Sequence, residues 1–395
     1  MRVAFTLFGD DSWTGGINYL RNLLSALREV SSRDIELVLF VRPDVDLSAT
    51  NILRSYLSGP PIVVEAWSRD PVSRIRRLLN LAFKFRDSAS YEVFKREGID
   101  LVFVNDSWYG FKFPIPTLAW IADFQHKHLP GMFSPLRRRK RDAAYWLLCR
   151  TATRVMVSSE DARRDCETYF KPAREKLCVV PFAVQVAPSV LESDLVALRA
   201  KYGLPSRFIY FPAQLWRHKN HLAVVEALDV LERNGKKVVV VCTGNPKDRR
   251  NPEYPKSVLE SAKAKGLHDS FRFLGMIPYD DVLPLLRASV ALLNPSLFEG
   301  WSTTVEEAKA LGVPLVLSDI RVHREQAPPA ARYFSPHDPS AIAEALWISF
   351  NNAQYDSATA DSGRALVAYD ERRRAFGEKF LAAAAQALTV RGLNS

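Results

Sequence analysis

Short uncharged runs of apolar residues alternate along the chain with longer stretches whose apolar positions recur every three or four residues. The short runs predict buried strands, and the longer stretches predict helices that cover them. The predicted strands are Arg2–Phe8, Ile35–Val41, Asp100–Asn105, Pro116–Ala122, Arg154–Ser158, Leu177–Pro181, Phe208–Pro212, Val238–Gly244, Phe271–Leu274, Ala288–Pro295 and Val313–Ser318. Strands and helices that alternate in this way predict an α/β fold with parallel sheets.

The segment from residue 288 to 320 shows this alternation most clearly. Its first strand is followed by the loop Ser296–Gly300 and by a helix that we expect to begin near Thr303. Thr303 and Glu306 have the spacing of a capping box, and Gly312 is expected to end the helix. Ligands of parallel sheets bind where strands end beside helix N-termini, so this segment is a candidate ligand site.

Two carboxylates flank the start of that helix, Glu299 in the loop and Glu307 one turn into the helix. The N–H groups of a helix N-terminus attract phosphate, and neighbouring carboxylates suit sugar or ribose hydroxyls. The alternative is that both are surface charges, because two glutamates at this spacing are common by chance.

Lys219 and Asp123 also follow predicted strands. Lys219 lies between a strand end and a helix start, where it suits a phosphate, although a single loop lysine is more often only solvated. Asp123, His126 and His128 form a polar cluster after the strand Pro116–Ala122, which is a plausible catalytic edge. The two histidines lack a third ligand in this loop, and we expect no metal cofactor.

Composition narrows the class of protein. The 395 residues are enough for two domains, and no apolar run approaches the roughly 18 residues of a membrane-spanning helix. Four cysteines without paired spacing favour reduced thiols and a cytoplasmic location. The net charge of +10 indicates an anionic partner.

Two stretches concentrate basic and apolar residues. Val72–Phe85 predicts a basic amphipathic helix, for which a solvated basic face is favoured over docking to an anionic membrane. Leu136–Arg154 suits a phospholipid surface or nucleic-acid phosphates, unless it is a solvated charge run that leads into a core helix. Its consecutive basic residues are Arg137, Arg138, Arg139, Lys140 and Arg141.

Three motifs resemble those of the family 4 retaining glycosyltransferases. FEGWSTTVEEAKALGVPLVLSD is similar to the donor-site segment of that family, which is close to EGFGLPVLEAMACGVPVV. The segment before Lys219 resembles G-R-L-x-x-x-K, with Gln214 where arginine is usual and Arg217 as a candidate substitute. The stretch from Asp123 resembles H-D-x-Q-x-x-x-x-P with Ala122 in place of histidine. Either Asp123 or His126 takes over that polar role, or none is needed.

The resemblance implies a GT-B fold, in which two Rossmann-like domains face each other across a cleft. It places an acceptor-side domain at residues 1–185, a donor-side domain at 186–368 and a returning C-terminal helix at 369–395. The implied catalytic residues are Glu299, Lys219, Asp123 and His126. The implied donor-binding residues are Gly15, Gly16, Gln214, Arg217, Lys219, Gly275, Met276, Ile277, Pro278, Glu299, Gly300, Trp301, Ser302, Thr303, Thr304 and Glu307.

The implied function is transfer of a sugar from a nucleotide-sugar, GDP-mannose or a UDP-sugar, to a hydroxyl of a glycan acceptor in polysaccharide biosynthesis. The expected acceptor is lipid-linked, and the expected location is the cytoplasm or the inner face of the membrane, which the five basic residues would contact. No nucleic-acid partner is expected. The alternatives are a nucleotide-sugar epimerase or hydrolase on the same fold, and a non-catalytic protein that binds membrane or nucleic acid.

Overall fold

The computed structural model describes residues 1–7, 14–31, 34–105, 107–326, 331–352 and 362–392. The chain divides into two compact units. The first unit comprises Met1–Phe124, Pro135–Gln185 and Arg372–Ser395, and the second comprises Gln125–Ser134 and Val186–Glu371. The segment Gln125–Ser134 therefore groups with the second unit, although its place in the sequence suggests the N-terminal domain.

The first unit contains a seven-stranded parallel sheet with the strand order β3-β2-β1-β4-β5-β6-β7. Apolar side chains fill both faces of its central strands, as expected when helices cover both sides of a sheet. The strands are β1 (Arg2–Leu7), β2 (Glu36–Val41), β3 (Ile62–Val63), β4 (Leu101–Val104), β5 (Thr117–Ile121), β6 (Arg154–Val157) and β7 (Leu177–Val179). The short strand β3 has too few residues to show a pattern in the sequence, and it was not predicted.

The helices of this part of the chain include one for each predicted amphipathic stretch. They are α1 (Thr14–Val30), α2 (Asn51–Arg54), α3 (Pro71–Lys84), α4 (Ser88–Arg96), α6 (Pro135–Thr151) and α7 (Glu160–Tyr169). Gly15 and Gly16 lie in the first turn of α1 rather than in the loop before it.

The second unit contains a six-stranded parallel sheet with the order β10-β9-β8-β11-β12-β13. The strands are β8 (Ile209–Pro212), β9 (Val240–Thr243), β10 (Phe271–Phe273), β11 (Ala291–Asn294), β12 (Leu315–Ser318) and β13 (Arg332–Phe334). All except β13 fall within predicted runs. From β8 the chain builds outward through β9 to β10 and then returns to the other side of β8 with β11, so the topology reverses between β8 and β11.

The helices of the second unit are α5 (Gln125–His128), α8 (Pro188–Glu192), α9 (Leu195–Lys201), α10 (His221–Arg233), α11 (Glu253–Ala264), α12 (Tyr279–Ala288), α13 (Thr303–Leu311), α14 (Arg321–Gln326) and α15 (Pro339–Asn351). Helices α10, α11 and α15 share one apolar cluster with the strands, and α8, α9, α12 and α13 share a second. The last helix, α16 (Ser362–Gly392), contributes residues to both units. Among the described residues, none of the helices combines the length and apolar character that crossing a bilayer requires.

One prediction about a helix was wrong, and another was incomplete. The N-cap of α13 is Ser302, whose hydroxyl accepts a hydrogen bond from the amide of Val305, so Thr303 and Glu306 do not form the predicted capping box. Helix α3 exposes the basic residues Arg76 and Lys84, as expected, but it also exposes the apolar side chains of Ile75 and Phe83, at 57% and 79%. Gly312 does end α13, in the left-handed conformation with φ of 69°.

Candidate functional site

The candidate site lies where the topology of the second sheet reverses. At such a switch point, the loops after the two strands run in opposite directions and leave a crevice beyond the strand ends. The loop after β8 leads to a 3₁₀ turn, Arg217–Lys219, and the loop after β11 leads to Glu299. The amide of Leu297 donates a 2.8 Å hydrogen bond to the carbonyl of His218, and this bond fixes one loop against the other.

Lys219 and Glu299, both predicted from the sequence, form an ion pair at this point. Lys219 Nζ lies 2.6 Å from Glu299 Oε1, and the two side chains are only 21% and 12% exposed. The hydroxyl of Ser296 donates a second hydrogen bond of 2.7 Å to the same oxygen. Partial burial weakens the competition from water, so this pair is better defined than an exposed one.

The loop that carries Glu299 is held by buried polar side chains at the ends of two strands. Asn294, the last residue of β11, donates from Nδ2 to Ser302 Oγ at 2.9 Å and accepts from the amide of Ser296 at 3.2 Å. The hydroxyl of Ser318, at the end of β12, donates to the carbonyl of Ser296 at 2.6 Å. These bonds fix the loop at both ends and in the middle.

His323 supports the same loop from α14. Its Nδ1 donates to the carbonyl of Ser318 at 2.9 Å. Burial lowers the pKa of His323, while the charge of Glu299 acts in the opposite direction. A neutral imidazole protonated on Nδ1 satisfies this geometry.

Gln326 forms hydrogen bonds with the backbone of the N-cap residue of α13, a role that the sequence did not predict. Its Oε1 accepts from the amide of Ser302 at 3.1 Å, and its Nε2 donates to the carbonyl of Ser302 at 3.1 Å and to Glu306 Oε1 at 3.0 Å. Glu306 also pairs with Lys309 at 2.8 Å. Gln326 thus takes the place that the capping-box glutamate was expected to fill, from 24 residues further along the chain.

Two backbone N–H groups in the first turn of α13 are available to a ligand. The amides of Ser302 and Val305 have the partners described above, whereas those of Thr303 and Thr304 have no protein acceptor among the described residues. The residues just before and within this turn remain accessible: Gly300, Trp301 and Thr304 are half-buried and Thr303 is exposed. Together with the helix dipole, these amides are suited to an anion.

Glu307 lies on the side of α13 that faces the sheet. It is only 8% exposed. Its charge adds to burial in raising the pKa of Tyr210 in β8, whose hydroxyl bonds to Thr243 Oγ1 at 2.7 Å. The two predicted carboxylates therefore differ: Glu299 pairs with a lysine, and Glu307 is buried near Tyr210 of β8.

The loops after β8, β9 and β10 pack directly on one another. The amide of Gly244 donates to the carbonyl of Gly275 at 2.9 Å, and a Cβ at Gly244 would lie 2.5 Å from the carbonyl oxygen of Ala213. The half-buried Gln214 follows Ala213. In the predicted loop Gly275–Pro278, Met276 is 68% exposed, while Gly275 and Ile277 are half-buried and Pro278 is exposed.

Arg250 is a second cation near Lys219 that the sequence analysis missed. Its guanidinium lies 5.1 Å from the ring centre of Trp216, and its Nη1 donates to Gln125 Oε1 at 2.9 Å. Burial, then Lys219 and then Arg250, lower the pKa of His218. Arg217, the expected substitute cation, has an exposed side chain, and its amide bonds to Asp248 at 3.3 Å.

Asp123 and His126 lie in different units. Asp123 belongs to the first unit, where its Oδ1 lies 2.8 Å from Arg141 Nη2. Arg141 also donates to the hydroxyl of Tyr145 at 2.9 Å. His126 belongs to the second unit and is only 1% exposed, so its ring is closed off from solvent. Gly15 and Gly16 lie in the first unit.

The described residues contain no group of three or more histidine, cysteine, aspartate or glutamate side chains arranged to hold a metal ion. The candidate site in the second unit offers a lysine, a helix N-terminus and two carboxylates. This set can bind a phosphate group beside a polyhydroxylated group.

Comparison with known proteins shows similarity to glycosyltransferases. The family described as Glycosyl transferases group 1 matches residues 197–364. A UDP-Gal:alpha-D-GlcNAc-diphosphoundecaprenol alpha-1,3-galactosyltransferase of Escherichia coli is 25% identical over 316 residues, which are 76% of this chain and 78% of that protein. The O-antigen chain mannosyltransferase RfbU of Salmonella typhimurium is 25% identical over 158 residues, which are 40% of this chain and 41% of that protein.

Solved structures agree on the fold. HepE of Anabaena in complex with UDP-glucose superposes with a TM-score of 0.70 at 17% identity, covering 98% of this chain and 99% of that one. The two parallel sheets with their covering helices are those of the predicted GT-B fold. The chain is therefore a glycosyltransferase that is similar to the group 1 enzymes, and its residues 197–364 match the model of that family.

Proposed function

We propose that the enzyme transfers a sugar from a nucleotide-sugar to a hydroxyl of a lipid-linked glycan acceptor during polysaccharide assembly, with retention of the anomeric configuration. The observation that carries this proposal is the Lys219–Glu299 pair at the switch point. The site offers a cation and helix amides for a diphosphate, and it holds a carboxylate beside them for sugar hydroxyls.

The chemical demand is the departure of a nucleoside diphosphate from a carbon that gains positive charge. Negative charge then grows on the phosphate oxygens, and donors already in place lower the barrier. The ammonium of Lys219 has three N–H groups, so it can bind a phosphate oxygen and still donate to Glu299. The amides of Thr303 and Thr304 supply neutral donors for the same charge.

The carboxylates would hold the two sugar rings of the donor. Glu299 accepts hydrogen bonds from hydroxyls of the transferred sugar, and Glu307 accepts those of the ribose. With retention, the acceptor hydroxyl attacks from the side of the leaving phosphate and gives its proton to that phosphate. No separate protein nucleophile is assigned, and the proposed reaction needs no divalent metal because Lys219 and the helix N-terminus carry the positive charge.

The donor and the acceptor are supported by the relatives. The Escherichia coli relative is named for UDP-galactose and for an acceptor linked to diphosphoundecaprenol, and RfbU is named a mannosyltransferase. The HepE structure contains UDP-glucose. The candidate donors for this enzyme are accordingly UDP-sugars and GDP-mannose.

The test is a transfer assay with UDP-galactose, UDP-glucose and GDP-mannose, each with and without a polyprenyl-diphosphate-linked sugar and each with and without EDTA. We expect one donor to release its nucleotide only when acceptor is present, and EDTA to have no effect. Proton NMR of the product should show the anomeric configuration of the donor. Turnover without acceptor would instead favour an epimerase or a hydrolase.

The basic segment of α6 remains a proposed contact with the membrane at the cytoplasmic face. Arg137, Arg139 and Lys140 are exposed, and Arg138 is half-buried. Arg141 is different, because it is tied to Asp123 and Tyr145. The proposed contact is therefore limited to the first four of the five basic residues, and replacing the three exposed ones with glutamine should weaken binding to anionic vesicles.

A further inference from the structure

Helix α3 turns a row of large apolar side chains away from the protein. Four of them follow one another at intervals of three or four residues and therefore share one face. They are Val72, Ile75, Leu79 and Phe83, which are 66%, 57%, 51% and 79% exposed, and Leu78 beside them is 64% exposed. A helix on the surface of a water-soluble domain normally has the opposite orientation, with its apolar face toward the core.

The opposite side of α3 contacts other segments of the first unit. Asp70 caps the helix by accepting from the amide of Ser73 at 2.9 Å. Arg77 lies 2.8 Å from the carboxylate of Asp87, which is only 1% exposed, and it also donates to the carbonyl of Trp108. The contacts of Arg77 with Asp87 and Trp108 therefore hold the half-buried side of the helix against the first unit, and the apolar row points outward.

The apolar surface continues beyond the end of the helix. Phe85 ends α3 in the left-handed conformation, with φ of 55°, and is 48% exposed. Its carbonyl accepts from the amide of Lys112 at 2.9 Å, which brings the neighbouring Phe111, 49% exposed, to the same region. Gly110 allows this approach, since a Cβ there would lie 2.4 Å from the carbonyl oxygen of Phe85.

The charges around this surface are almost all positive. Between Arg69 and Arg86 the chain carries six basic residues and one acidic residue, the capping Asp70. Arg76 and Lys84 are exposed on α3. A second copy of the same surface would bring like charges together, whereas a bilayer with anionic headgroups offers both opposite charge and an apolar interior.

A cavity of about 370 Å³ lies beside the first turns of α3. Its lining includes three arginines and two serines, namely Arg42, Arg69, Arg77, Ser68 and Ser73. Asp44 pairs with Arg42 at 2.9 Å and with Arg69 at 3.4 Å, so one carboxylate faces two guanidinium groups there. This lining is suited to the phosphate of a lipid headgroup.

We propose that the α3 face, defined as Val72, Ile75, Leu78, Leu79 and Phe83, docks on an anionic bilayer. The apolar side chains enter the boundary between headgroups and acyl chains, and Arg69, Arg76 and Lys84 contact lipid phosphates. The proposal does not depend on the identity of the donor or the acceptor, because it rests on residues outside the candidate donor site.

The test is co-sedimentation of the full chain with phosphatidylcholine vesicles that contain about one third phosphatidylglycerol, or none. The variant Ile75→Gln/Leu79→Gln/Phe83→Gln removes the apolar row. The control Val196→Gln/Leu259→Gln/Val367→Gln changes three other exposed apolar residues, which are 69%, 39% and 62% exposed. We expect the α3 variant to lose at least about tenfold in partition to anionic vesicles and the control to stay within about twofold of wild type.

A third variant separates charge from apolar contact. Arg69→Gln/Arg76→Gln should reduce binding to anionic vesicles and leave the weak binding to neutral vesicles unchanged. Stabilisation of the α3 variants by nucleotide should equal that of wild type, so failure of docking is distinguishable from failure of the proposed function. Wild-type partition by the apolar α3 variant would overturn the proposal. The proposal would also be overturned if sedimentation showed that wild type is a dimer and that the apolar α3 variant is not. In that case α3 would bind a second copy of the chain.

Discussion

Lys219 and Glu299 hold each other in a defined position before a ligand arrives. Their 2.6 Å contact is partly shielded from water, and Ser296 keeps the carboxylate in place. A lysine tied in this way loses less side-chain freedom when it binds a phosphate than a solvated lysine would lose. In the proposed function the pair prepares the site for the donor, and each member also has a separate proposed contact with it.

The first prediction concerns this lysine. Lys219→Ala should lower kcat/KM by about 100-fold or more, because it removes a donor from the charge that grows on the leaving phosphate. Lys265→Ala is a matched control: Lys265 is 23% exposed and pairs with Asp229 at 2.9 Å in the same unit. The control should keep activity within about twofold, as measured by nucleotide release. Equal losses in the two variants would contradict the assigned role.

The second prediction concerns pH and a buried histidine next to the site. Burial, followed by the charge of Lys219, lowers the pKa of His221 from 6.5 to about 3. Above pH 6.5 neither the folded nor the unfolded state binds this proton. Between that pH and about 3 only the unfolded state binds it, so the free energy of unfolding falls by about 1.4 kcal/mol per pH unit as the pH decreases.

His221→Phe should remove this contribution and keep the aromatic contact with Phe211, whose ring centre lies 4.2 Å away. Urea unfolding at about pH 6.5 and about pH 5.0 should show that wild type loses about 2 kcal/mol more than the variant over this interval. His268→Phe, at a side chain that is 81% exposed, is the control and should behave as wild type. An unchanged loss in His221→Phe would show that the histidine is protonated in the folded state.

At the scale of a single element, local sequence signals located α13 but not the residues that stabilise it. Gly312 and the apolar strand before the helix predicted its two ends closely. The capping-box spacing of Thr303 and Glu306 was misleading, because Gln326 fills the same hydrogen-bonding position from another helix. A partner supplied by the tertiary fold leaves no signal in the local pattern.

The third prediction tests that partner. Gln326 is 4% exposed, and Gln326→Ala leaves the amide and carbonyl of Ser302 without their buried partner. We expect a loss of about 1–3 kcal/mol in the free energy of unfolding, measured by urea denaturation. The exposed Gln386→Ala should change stability by less than about 0.5 kcal/mol. If the first turn of α13 binds the donor phosphate, Gln326→Ala should also raise the KM for donor.

Helix α3 shows a second limit of local signals. Its apolar spacing predicted a helix over Val72–Phe85, and the structure has one over Pro71–Lys84. The spacing of apolar residues defines one face of a helix, but it does not show whether that face packs on a core or is exposed at the surface. The contacts of Arg77 with Asp87 and Trp108 hold the helix in its orientation, and both partners lie outside the pattern of α3.

For the whole molecule, composition and apolar runs predicted the α/β class and most of the strands. The order of the strands did not follow from those runs, yet it is the order that places Lys219 and Glu299 side by side at the switch point between β8 and β11. The family motifs pointed to the same two residues. Arg250 has no such motif, and only the fold shows that it lies near His218 and Lys219.

The last prediction follows from the location of the candidate donor site within the second unit. A nucleotide that binds only the folded state at about 100 times its Kd adds about 2.7 kcal/mol to stability. For a unit of this size, that corresponds to a rise in Tm of about 5–10 °C. We expect one of UDP, GDP, ADP and dTDP to produce this shift in wild type and in Lys265→Ala, equally with EDTA and with magnesium. Lys219→Ala should reduce this rise in Tm, because the lysine is proposed to bind the diphosphate that all four nucleotides share. If Lys219→Ala showed the same rise in Tm as wild type, the diphosphate would have to bind elsewhere. A shift that required magnesium would show that a metal, and not the lysine and helix amides alone, carries the positive charge.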